Sequence, residues 1–385
     1  MRKNSFLSIL FIILLLSLLI GCVEKDSEPD TGIGKPPAPS DTSTIFYRAM
    51  DLSFQPEFET DQVEYFNENA DPVDMLPYMK NSGVNLVRLR LWHTPAYGHC
   101  GLEEVLSYAQ RVKQAGMDIL LDIHFSDTWA DPGNQSLPAV WQGLSFDVLS
   151  DSVRNYTKVV ITSLNTRNTT PVIVQIGNEI NAGFLWNLGR VGGDFNDNWA
   201  NYSALTVAAI NGIKTVDPNN EIDIMIHYAG FNAIEWFLGE LMNHNVTFDI
   251  IGISYYSIWH GNDLSQVQNI LQSIAQNFSQ KIFIAETSYP WTLEWNDWTN
   301  NIWGLEEQLI PGYSATPAGQ KKYLVDLKSI LKNLNGNKGI GFCYWAPDWV
   351  AYKGPEASDG SIWENATVFD FESKALPVMD VFSPD

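Results

Sequence analysis

Short apolar runs of β type alternate with longer segments of helical periodicity along most of this 385-residue chain. When strands alternate with helices, each helix carries the chain back to the same end of the sheet, so the strands run parallel. Eight units of this kind predict a single (β/α)8 barrel with long loops. A doubly wound open sheet is the alternative, although no Gly-rich phosphate-binding fingerprint follows an early strand.

The predicted strands are short and rich in Ile, Val and Leu, and they are Tyr47–Leu52, Leu86–Leu91, Ile119–Ile123, Val172–Ile176, Ile222–His227, Ile250–Ser254, Ile282–Ala285 and Ile340–Tyr344. The predicted helices place apolar residues on one face, and they include Leu102–Ala115, Asp147–Leu164, Tyr202–Thr215, Leu264–Phe278 and Thr316–Leu334. We find no internal repeat and no sign of a second domain.

The N-terminal segment is a processing signal rather than part of the fold. Arg2 and Lys3 precede an apolar run, Phe6–Ile20, that is short for a membrane span and ends in Leu-Ile-Gly-Cys22. This ending resembles a bacterial lipobox, and an ordinary secretory signal with an incidental cysteine is the alternative. We predict a lipoprotein signal peptide at 1–21, lipidated Cys22 with a linker rich in Pro, Ser, Asp and Gly at 22–44, and one folded domain at 45–385. The expected location is therefore the cell envelope or exterior, with membrane contact through the lipid at Cys22 alone.

Charge and aromatic content restrict the partners. The net charge of −22 provides no basic surface for phosphates, so we expect no nucleic-acid partner. The chain contains 14 Trp, more than a core alone requires, and Trp rings commonly stack on sugar rings. Cys100 and Cys343 remain once Cys22 is lipidated, and the sequence leaves open whether they form a disulfide. We expect a monomer.

Polar side chains follow the predicted strands at the end where barrels of this type carry their active sites. Glu179 follows the fourth strand and Glu286 the seventh, so their carboxylates can face each other across the barrel mouth. The other polar residues at strand ends are Arg88, Arg90, His124, Asp127, Asn178, His227, Tyr255, Tyr256, Tyr344 and Trp345.

A facing pair of carboxyl groups is the requirement for glycoside hydrolysis, in which one acid protonates the leaving oxygen and one carboxylate acts at the anomeric carbon. Arg88 and Arg90 point to the same side of their strand, and either could keep Glu286 ionised. Structural ion pairs are the alternative role for the two glutamates. His124 and His227 could be metal ligands, but no HxH or HExxH spacing accompanies them, so orientation of the carboxylates is the favoured role.

Six collinear motifs resemble glycoside hydrolase family 53, the endo-β-1,4-galactanases of the clan of retaining (β/α)8 glycosidases. They cover nearly all of the chain from Phe46 onward. Ser-Asp-Thr-Trp-Ala-Asp-Pro, at 126–132, is specific to the family, whereas Asn-Glu at 178–179 occurs throughout the clan. The motifs are GVNLVRLRLWHTP, DIHFSDTWADPGNQSLPAVW, IGNEINAGFLWNLG, DIIGISYYSIW, IFIAETSYPWT and GFCYWAPDWV.

The resemblance implies that Glu179 is the acid/base and Glu286 the nucleophile. It further implies that Asn178 binds the sugar 2-hydroxyl, that Tyr255 contacts the nucleophile, and that Arg88 and Arg90 support it. His124, Asp127, Trp129 and Asp131 would shape the sugar-binding floor, and Trp345 would stack beneath the sugar at the cleavage point. Residues expected in outer subsites are Trp141, Trp186, Trp259 and Trp291.

Two departures from the family pattern concern loops. Ala346 stands where the family has a glutamate after Tyr-Trp, and Asp348 follows two residues later, which should alter subsite contacts more than the chemistry. Some bacterial members bind a structural calcium after the seventh strand. The corresponding loop here has Asp297, Asn300 and Asn301 but no cluster of acids with Gly, so the resemblance leaves calcium open and requires no other cofactor.

The sequence thus predicts a lipid-anchored endo-β-1,4-galactanase that hydrolyses the β-1,4-galactan side chains of pectin with retention of configuration. A mannanase or xylanase of the same clan is the alternative among enzymes. A surface glycan-binding lipoprotein without catalysis is the alternative of another class, and the complete set of Glu179, Glu286, Asn178 and Tyr255 argues against it. A purely structural envelope protein leaves the polar strand ends unexplained.

Overall fold

The computed structural model describes residues 45–384, in which the strands close into one parallel barrel. Each strand pairs with the next along the chain, and β8 pairs with β1. The strands are β1 (Tyr47–Asp51), β2 (Leu86–Leu91), β3 (Asp118–Ile123), β4 (Ile173–Ile176), β5 (Asp223–Ala229), β6 (Ile250–Ser254), β7 (Lys281–Thr287) and β8 (Gly339–Tyr344). The predicted (β/α)8 barrel is confirmed, and the open sheet is excluded because no strand edge is left unpaired.

Helices connect the strands on the outside of the barrel. They are α1 (Gln55–Thr60), α2 (Met75–Asn81), α3 (Leu102–Gln114), α4 (Phe146–Thr166), α5 (Trp199–Val216), α6 (Ile234–Asn243), α7 (Ser257–His260), α8 (Leu264–Asn277) and α9 (Pro317–Lys332). The predicted helices correspond to α3, α4, α5, α8 and α9. No helix within 45–384 is long and apolar enough to span a membrane. The predicted signal peptide, Cys22 and the whole predicted linker lie outside the described residues.

Two layers of side chains fill the barrel, and the two-residue period of the strands decides which residues belong to each layer. Leu86, Leu120 and Met225 belong to an apolar cluster that all eight strands contribute to. Side chains two positions apart share a face of a strand. Arg88 and His227, two residues after Leu86 and Met225, therefore lie inside the barrel as well, one layer closer to the carboxyl ends of the strands, and both are fully buried.

Strand β7 contains an irregularity that breaks the regular alternation of inward and outward side chains. Ile284 pairs with Ile253 of β6, but the next pair is Glu286 with Ser254, so Ala285 has no partner in the ladder. A bulge of this kind inserts one residue and turns the following side chain to the other face. Glu286 consequently points into the barrel although Ala285, directly before it, also belongs to the inner apolar cluster.

Cys343 lies in the inner apolar cluster, whereas Cys100 follows β2 and contacts Arg90. Both are buried free thiols, so the disulfide that the sequence left open does not form.

Candidate active site

Arg88 is the centre of a buried polar network in the barrel mouth. Its guanidinium contacts the carboxylates of Asp51 at 2.9 Å, Asp122 at 2.8 Å and Glu286 at 2.9 Å. It also donates to Asn178 Oδ1 at 2.8 Å. Three carboxylates around one cation leave excess negative charge, which only a rigid set of hydrogen bonds can hold in a buried place. Arg88 therefore fixes the position of Glu286 and supplies its counter-charge, and it is one of the two arginines that the sequence offered for this role.

Glu179 projects from a sharp turn at the end of β4. Gly177 and Glu179 both have positive φ, 72° and 49°, and this reverses the chain within three residues. Gln135 holds the turn by donating from Nε2 to the carbonyl oxygen of Asn178 at 2.7 Å, and Asn178 Nδ2 donates to the carbonyl oxygen of Ala130 at 2.8 Å. The loop after β3 thus fixes Glu179 toward the cavity.

Tyr256 is the tyrosine that contacts Glu286, with its hydroxyl donating to Oε2 at 3.0 Å. The predicted contact is wrong for the Tyr255 side chain, because its hydroxyl donates to the carbonyl oxygen of Gly261 at 3.0 Å. Tyr255 meets Glu286 through the backbone instead, its amide donating to the Glu286 carbonyl oxygen at 2.8 Å. Strand alternation explains the difference: Ser254 lies inside the barrel, so Tyr256, two residues later, faces the same way, while Tyr255 faces outward against Tyr323.

The change Tyr256→Phe should lower kcat/KM by roughly tenfold and move the acidic limb of its pH profile upward, because a hydrogen bond to a charged group is lost. The tyrosine hydroxyl lowers the pKa of Glu286, so its loss leaves less of this carboxylate ionised at a given pH. Tyr255→Phe is the matched control and should leave that limb in place. Equal shifts in the two variants would contradict the assignment.

The two glutamates have different electrostatic environments. Burial, reinforced by the charge of Glu286, raises the pKa of Glu179 to about 8. Burial raises the pKa of Glu286 to about 6, and the Arg88 guanidinium opposes this rise. Between these values Glu179 is protonated and Glu286 is ionised. This is the division that an acid and a carboxylate need when they share one site.

The predicted histidines are not among the residues that line the cavity at the barrel mouth, and both are hydrogen-bonded within the protein. His124 Nε2 is 2.9 Å from Asp122 Oδ2, and its Nδ1 accepts from the amide of Ala130 at 3.2 Å. Burial lowers the pKa values of His124 and His227, so both rings are neutral. His227 lies behind Glu179, with Nε2 2.8 Å from Ser254 Oγ. Both histidines therefore orient their neighbours, which favours the non-metal role.

Asp127 does not shape the sugar-binding floor, contrary to the prediction. Its two oxygens accept from the amides of Thr94 at 2.9 Å and Ala139 at 2.7 Å, so the carboxylate is used in joining two loops. Asp131 lines the cavity as predicted, with Oδ1 also accepting from the amides of Gly133 and Asn134.

Both glutamates open into one cavity of about 300 Å³ at the barrel mouth. Its remaining lining is largely aromatic, which suits the apolar faces of sugar rings. Trp129, Trp259 and Trp345 were predicted from the sequence, and the residues that sequence reasoning missed are Trp349, Ile362 and Trp363, all from the loop after β8. Trp349 stands in the GFCYWAPDWV motif, whereas Ile362 and Trp363 lie in a stretch without a regular pattern, where only the Trp content could have drawn attention.

Three other tryptophans predicted as subsite walls do not line this cavity. Trp141 is buried against His93 and Tyr156. Trp186 stacks with the Arg190 guanidinium at 4.0 Å, and Trp291 packs against Phe371. The rings of these three tryptophans pack against other side chains of the protein.

Arg90 does not contact Glu286, unlike Arg88. Its guanidinium lies 4.0 Å from the ring centre of Trp129 and 4.7 Å from that of Phe54, and Nη2 is 3.1 Å from Cys100 Sγ. Such cation–π contacts stabilise the aromatic neighbours. Arg90 consequently supports the cavity wall through Trp129 rather than the nucleophile.

After β8, where the family pattern has a glutamate, this chain has Ala346, a buried residue with φ of 49°. Asp348 is fully buried outside the cavity, and Oδ2 accepts from Gln55 Nε2 at 2.7 Å. Burial raises the pKa of Asp348 to about 7, despite the opposing hydrogen bond from Gln55. Asp348 therefore does not take the place of the missing glutamate in the cavity.

The loops after β7 and β8 contain buried oxygens without hydrogen-bond partners, namely Asp297 Oδ2, Asn301 Oδ1 and Glu364 Oε2. Asn301 Nδ2 donates to Glu364 Oε1 at 3.2 Å, which places these two side chains together. Residues 45–384 contain no group of three His, Cys, Asp or Glu side chains suited to a metal. Calcium, however, also accepts amide and carbonyl oxygens, and Asp297 lies close enough to Glu364 for its charge to raise the pKa of that carboxyl. The three side chains together are therefore of the chemical type that binds calcium.

A (β/α)8 barrel that presents one glutamate after β4 and another after β7, with different pKa values and in one aromatic cavity, has the arrangement of a glycoside hydrolase. The model of glycosyl hydrolase family 53 matches residues 47–382, and the chain belongs to this family. It is 42% identical over 339 residues to an uncharacterized protein of Niallia circulans, covering 86% of this chain and 92% of that one.

Two further relatives have informative names. The arabinogalactan endo-β-1,4-galactanase of Cellvibrio japonicus is 33% identical over 351 residues, covering 89% of this chain and 92% of the relative. Among solved structures, the family 53 catalytic domain of Ignisphaera aggregans superposes with a TM-score of 0.82 at 36% identity, covering 90% of this chain and 97% of that one.

Proposed function

We propose that this glycoside hydrolase is an endo-β-1,4-galactanase that acts on the galactan side chains of pectin with retention of configuration. The observation that carries the proposal is the pair Glu179 and Glu286, which open into one cavity. Their environments raise the pKa of Glu179 to about 8 and that of Glu286 to about 6. Family membership and the name of the Cellvibrio japonicus relative support the choice of substrate.

The mechanism follows from the environments of the two glutamates. Glu286, ionised beside Arg88, attacks the anomeric carbon while Glu179 transfers its proton to the departing glycosidic oxygen. The product is a glycosyl ester of Glu286 and an ionised Glu179. Glu179 then takes a proton from water, which attacks the anomeric carbon and releases Glu286 as carboxylate. Two inversions at one carbon give overall retention.

A time course on unbranched β-1,4-galactan tests the substrate and the endo action together. We expect a ladder of oligosaccharides at early times, and ¹H NMR of fresh products should show the β-anomer first. Release of reducing ends from mannan or xylan but not from galactan would contradict the substrate. Absence of release from every polysaccharide would favour the glycan-binding alternative.

The pH profile of kcat/KM on galactan should be bell-shaped. Glu286 must be ionised, so the rate should rise with pH through its pKa of about 6. Glu179 must be protonated for the first step, so the rate should fall through its pKa of about 8. Because the two carboxyls interact, the measured values belong to the pair. A rate that stays constant through both values would contradict the division of roles.

The proposal includes a lipid anchor at Cys22, which would hold a monomeric enzyme at the cell envelope. The Leu-Ile-Gly-Cys ending of the signal sequence supports it. Metabolic labelling with a radioactive fatty acid tests it, since Cys22→Ser should abolish the label and leave catalysis unchanged.

A structural calcium ion also forms part of the proposal. Asp297, Asn301 and Glu364 would hold it, and its effect would be to join the loops after β7 and β8 rather than to enter the reaction. Saturating calcium should raise the melting temperature of the chelated protein by about 5 °C, since a ligand that binds only the folded state stabilises it. Asp297→Asn should reduce this rise, and an equal rise in the variant would contradict the site.

A further inference from the structure

The carbonyl groups of the turn that presents Glu179 are held by a side chain from another loop, that of Gln135. The turn lies beyond the last ladder pairs of β4, which involve Ile176, so its carbonyl oxygens have no partner in the sheet. Within residues 45–384, Gln135 is the one donor found for the carbonyl oxygens of Asn178, at 2.7 Å, and of Glu179, at 3.4 Å. Because backbone carbonyl groups away from water need a donor, the turn depends on this side chain.

The orientation of the Gln135 amide follows from its neighbours. Its Nε2 lies within hydrogen-bonding distance of three carbonyl oxygens, the third being that of Asp131 at 3.0 Å. A carbonyl oxygen can only accept, so a reversed amide would place Oε1 against three acceptors. The nitrogen therefore faces the turn. Gln135 is only 2% exposed, and its own carbonyl oxygen accepts from the amide of Trp186 at 2.9 Å, so its backbone is fixed as well.

The loop that carries Gln135 also forms one wall of the cavity. Trp129 and Asp131 line the cavity from this loop, and Gln135 is bonded to the backbone of Asp131. In the opposite direction, Asn178 Nδ2 donates to the carbonyl oxygen of Ala130 at 2.8 Å. Two side-chain amides thus join the loop after β3 to the turn after β4, one from each side. The wall that receives the sugar and the backbone of the acid/base form one connected unit.

The two peptide groups that flank Glu179 are each held at both ends. On the N–H side His227 is the acceptor: its Nδ1 lies 3.3 Å from the amide nitrogen of Glu179, and its carbonyl oxygen lies 3.0 Å from that of Ile180. On the C=O side Gln135 is the donor. Because a peptide group is planar, its orientation sets the backbone angles of the residue beside it and hence the direction of the side chain. Gln135 therefore helps to determine where the Glu179 carboxyl lies.

We propose that Gln135 is a positioning residue for acid catalysis: by donating to the carbonyl groups of the turn, it keeps the Glu179 carboxyl where its proton reaches the glycosidic oxygen. The inference rests on the proposed acid/base role of Glu179. The nucleophile is held separately, since Glu286 is bonded to Arg88 and Tyr256. Loss of the Gln135 donor thus impairs proton transfer and leaves the nucleophile in place.

The test uses Gln135→Met, which removes the donor and nearly keeps the length and volume of the side chain. Gln135 Oε1 has no hydrogen-bond partner among the described residues, so the Nε2 donor is the interaction that this change removes. The variant is compared on two substrates, galactan, whose leaving group needs a proton, and a dinitrophenyl galactoside, whose leaving group does not. Both sugars occupy the same cavity. A distorted wall or a loss of folded protein lowers both rates, whereas a displaced acid lowers the rate on galactan alone.

Gln135→Met should lower kcat/KM on galactan by roughly 10- to 100-fold and kcat/KM on the dinitrophenyl galactoside by about twofold or less, since a small displacement of the acid suffices. Added azide should raise kcat of the variant on the activated substrate, because azide attacks the glycosyl ester without the help of a base. Gln142→Met, at an exposed position of the same loop, is the matched control and should leave the ratio of the two rates unchanged.

Gln135→Asn gives a second decision that does not depend on the folding of one variant. It keeps the amide but withdraws it by one methylene group, so it should show the same selective loss on galactan. Equal losses on the two substrates, or no loss on either, would overturn the proposal. The proposed function fails separately, when the unmodified protein acts on mannan or xylan instead of galactan. The comparison of variants is then made with that glycan and its aryl glycoside, and it still decides the role of Gln135.

Discussion

Glu286→Ala should lower the rate of galactan hydrolysis by roughly 10⁴-fold or more, because no other group can form the covalent intermediate. The variant should still bind galactan oligosaccharides, since the aromatic lining of the cavity, including Trp345 and Trp363, is unchanged. Reducing-end release and calorimetric titration with a galacto-oligosaccharide measure the two quantities separately. Full retained activity would refute the assignment of Glu286.

The anomeric configuration of the product formed with azide gives a second test of Glu286 as the nucleophile. In Glu286→Ala a small anion can occupy the space of the missing carboxylate and attack an activated galactoside directly, which gives the α-azide. Glu221→Ala, at an exposed position before β5, is the control and should behave as the unmodified enzyme. A β-azide from Glu286→Ala would show that another residue is the nucleophile.

Glu179→Ala should lower the hydrolysis of galactan by about 10²- to 10⁴-fold, the usual contribution of general acid–base catalysis. The loss should be much smaller for the first step with a dinitrophenyl galactoside, because that leaving group needs no proton. Added azide should then attack the glycosyl ester of Glu286 and release the β-azide. Equal losses on galactan and on the activated substrate would contradict an acid role for Glu179.

The sequence predicted most of the barrel because strands and helices differ in hydrophobic period. The observed β2 and β6 have the predicted bounds, and β7 extends two residues beyond the predicted end, to Thr287. Glu286 was found because it directly follows an apolar run, and Glu179 because it follows one after Gly-Asn. Periodicity could not reveal the bulge in β7, since a bulge depends on pairing with β6 and β8 rather than on the strand's own residues.

The errors within the site have a common origin, namely contacts between distant loops. Tyr255 and Tyr256 are adjacent and chemically equal, and only the inward direction of Ser254 decides between them. Asp127 belongs to a family motif, but its carboxylate accepts from the amide of Thr94, in the loop after β2, and from that of Ala139, farther along its own loop. Trp363 contributes to the cavity from a loop whose path depends on packing against Trp303 and Tyr256.

The turn that presents Glu179 has a thermodynamic cost for the folded chain. A glutamate with φ of 49° lies in the left-handed region, which costs a residue with a side chain roughly 1 kcal/mol. Asparagine tolerates this region better, so a chain with Asn at 179 should be inactive and yet more resistant to denaturation. At this one position activity and stability favour different residues, because the acid/base glutamate occupies a left-handed backbone conformation that destabilises the folded chain.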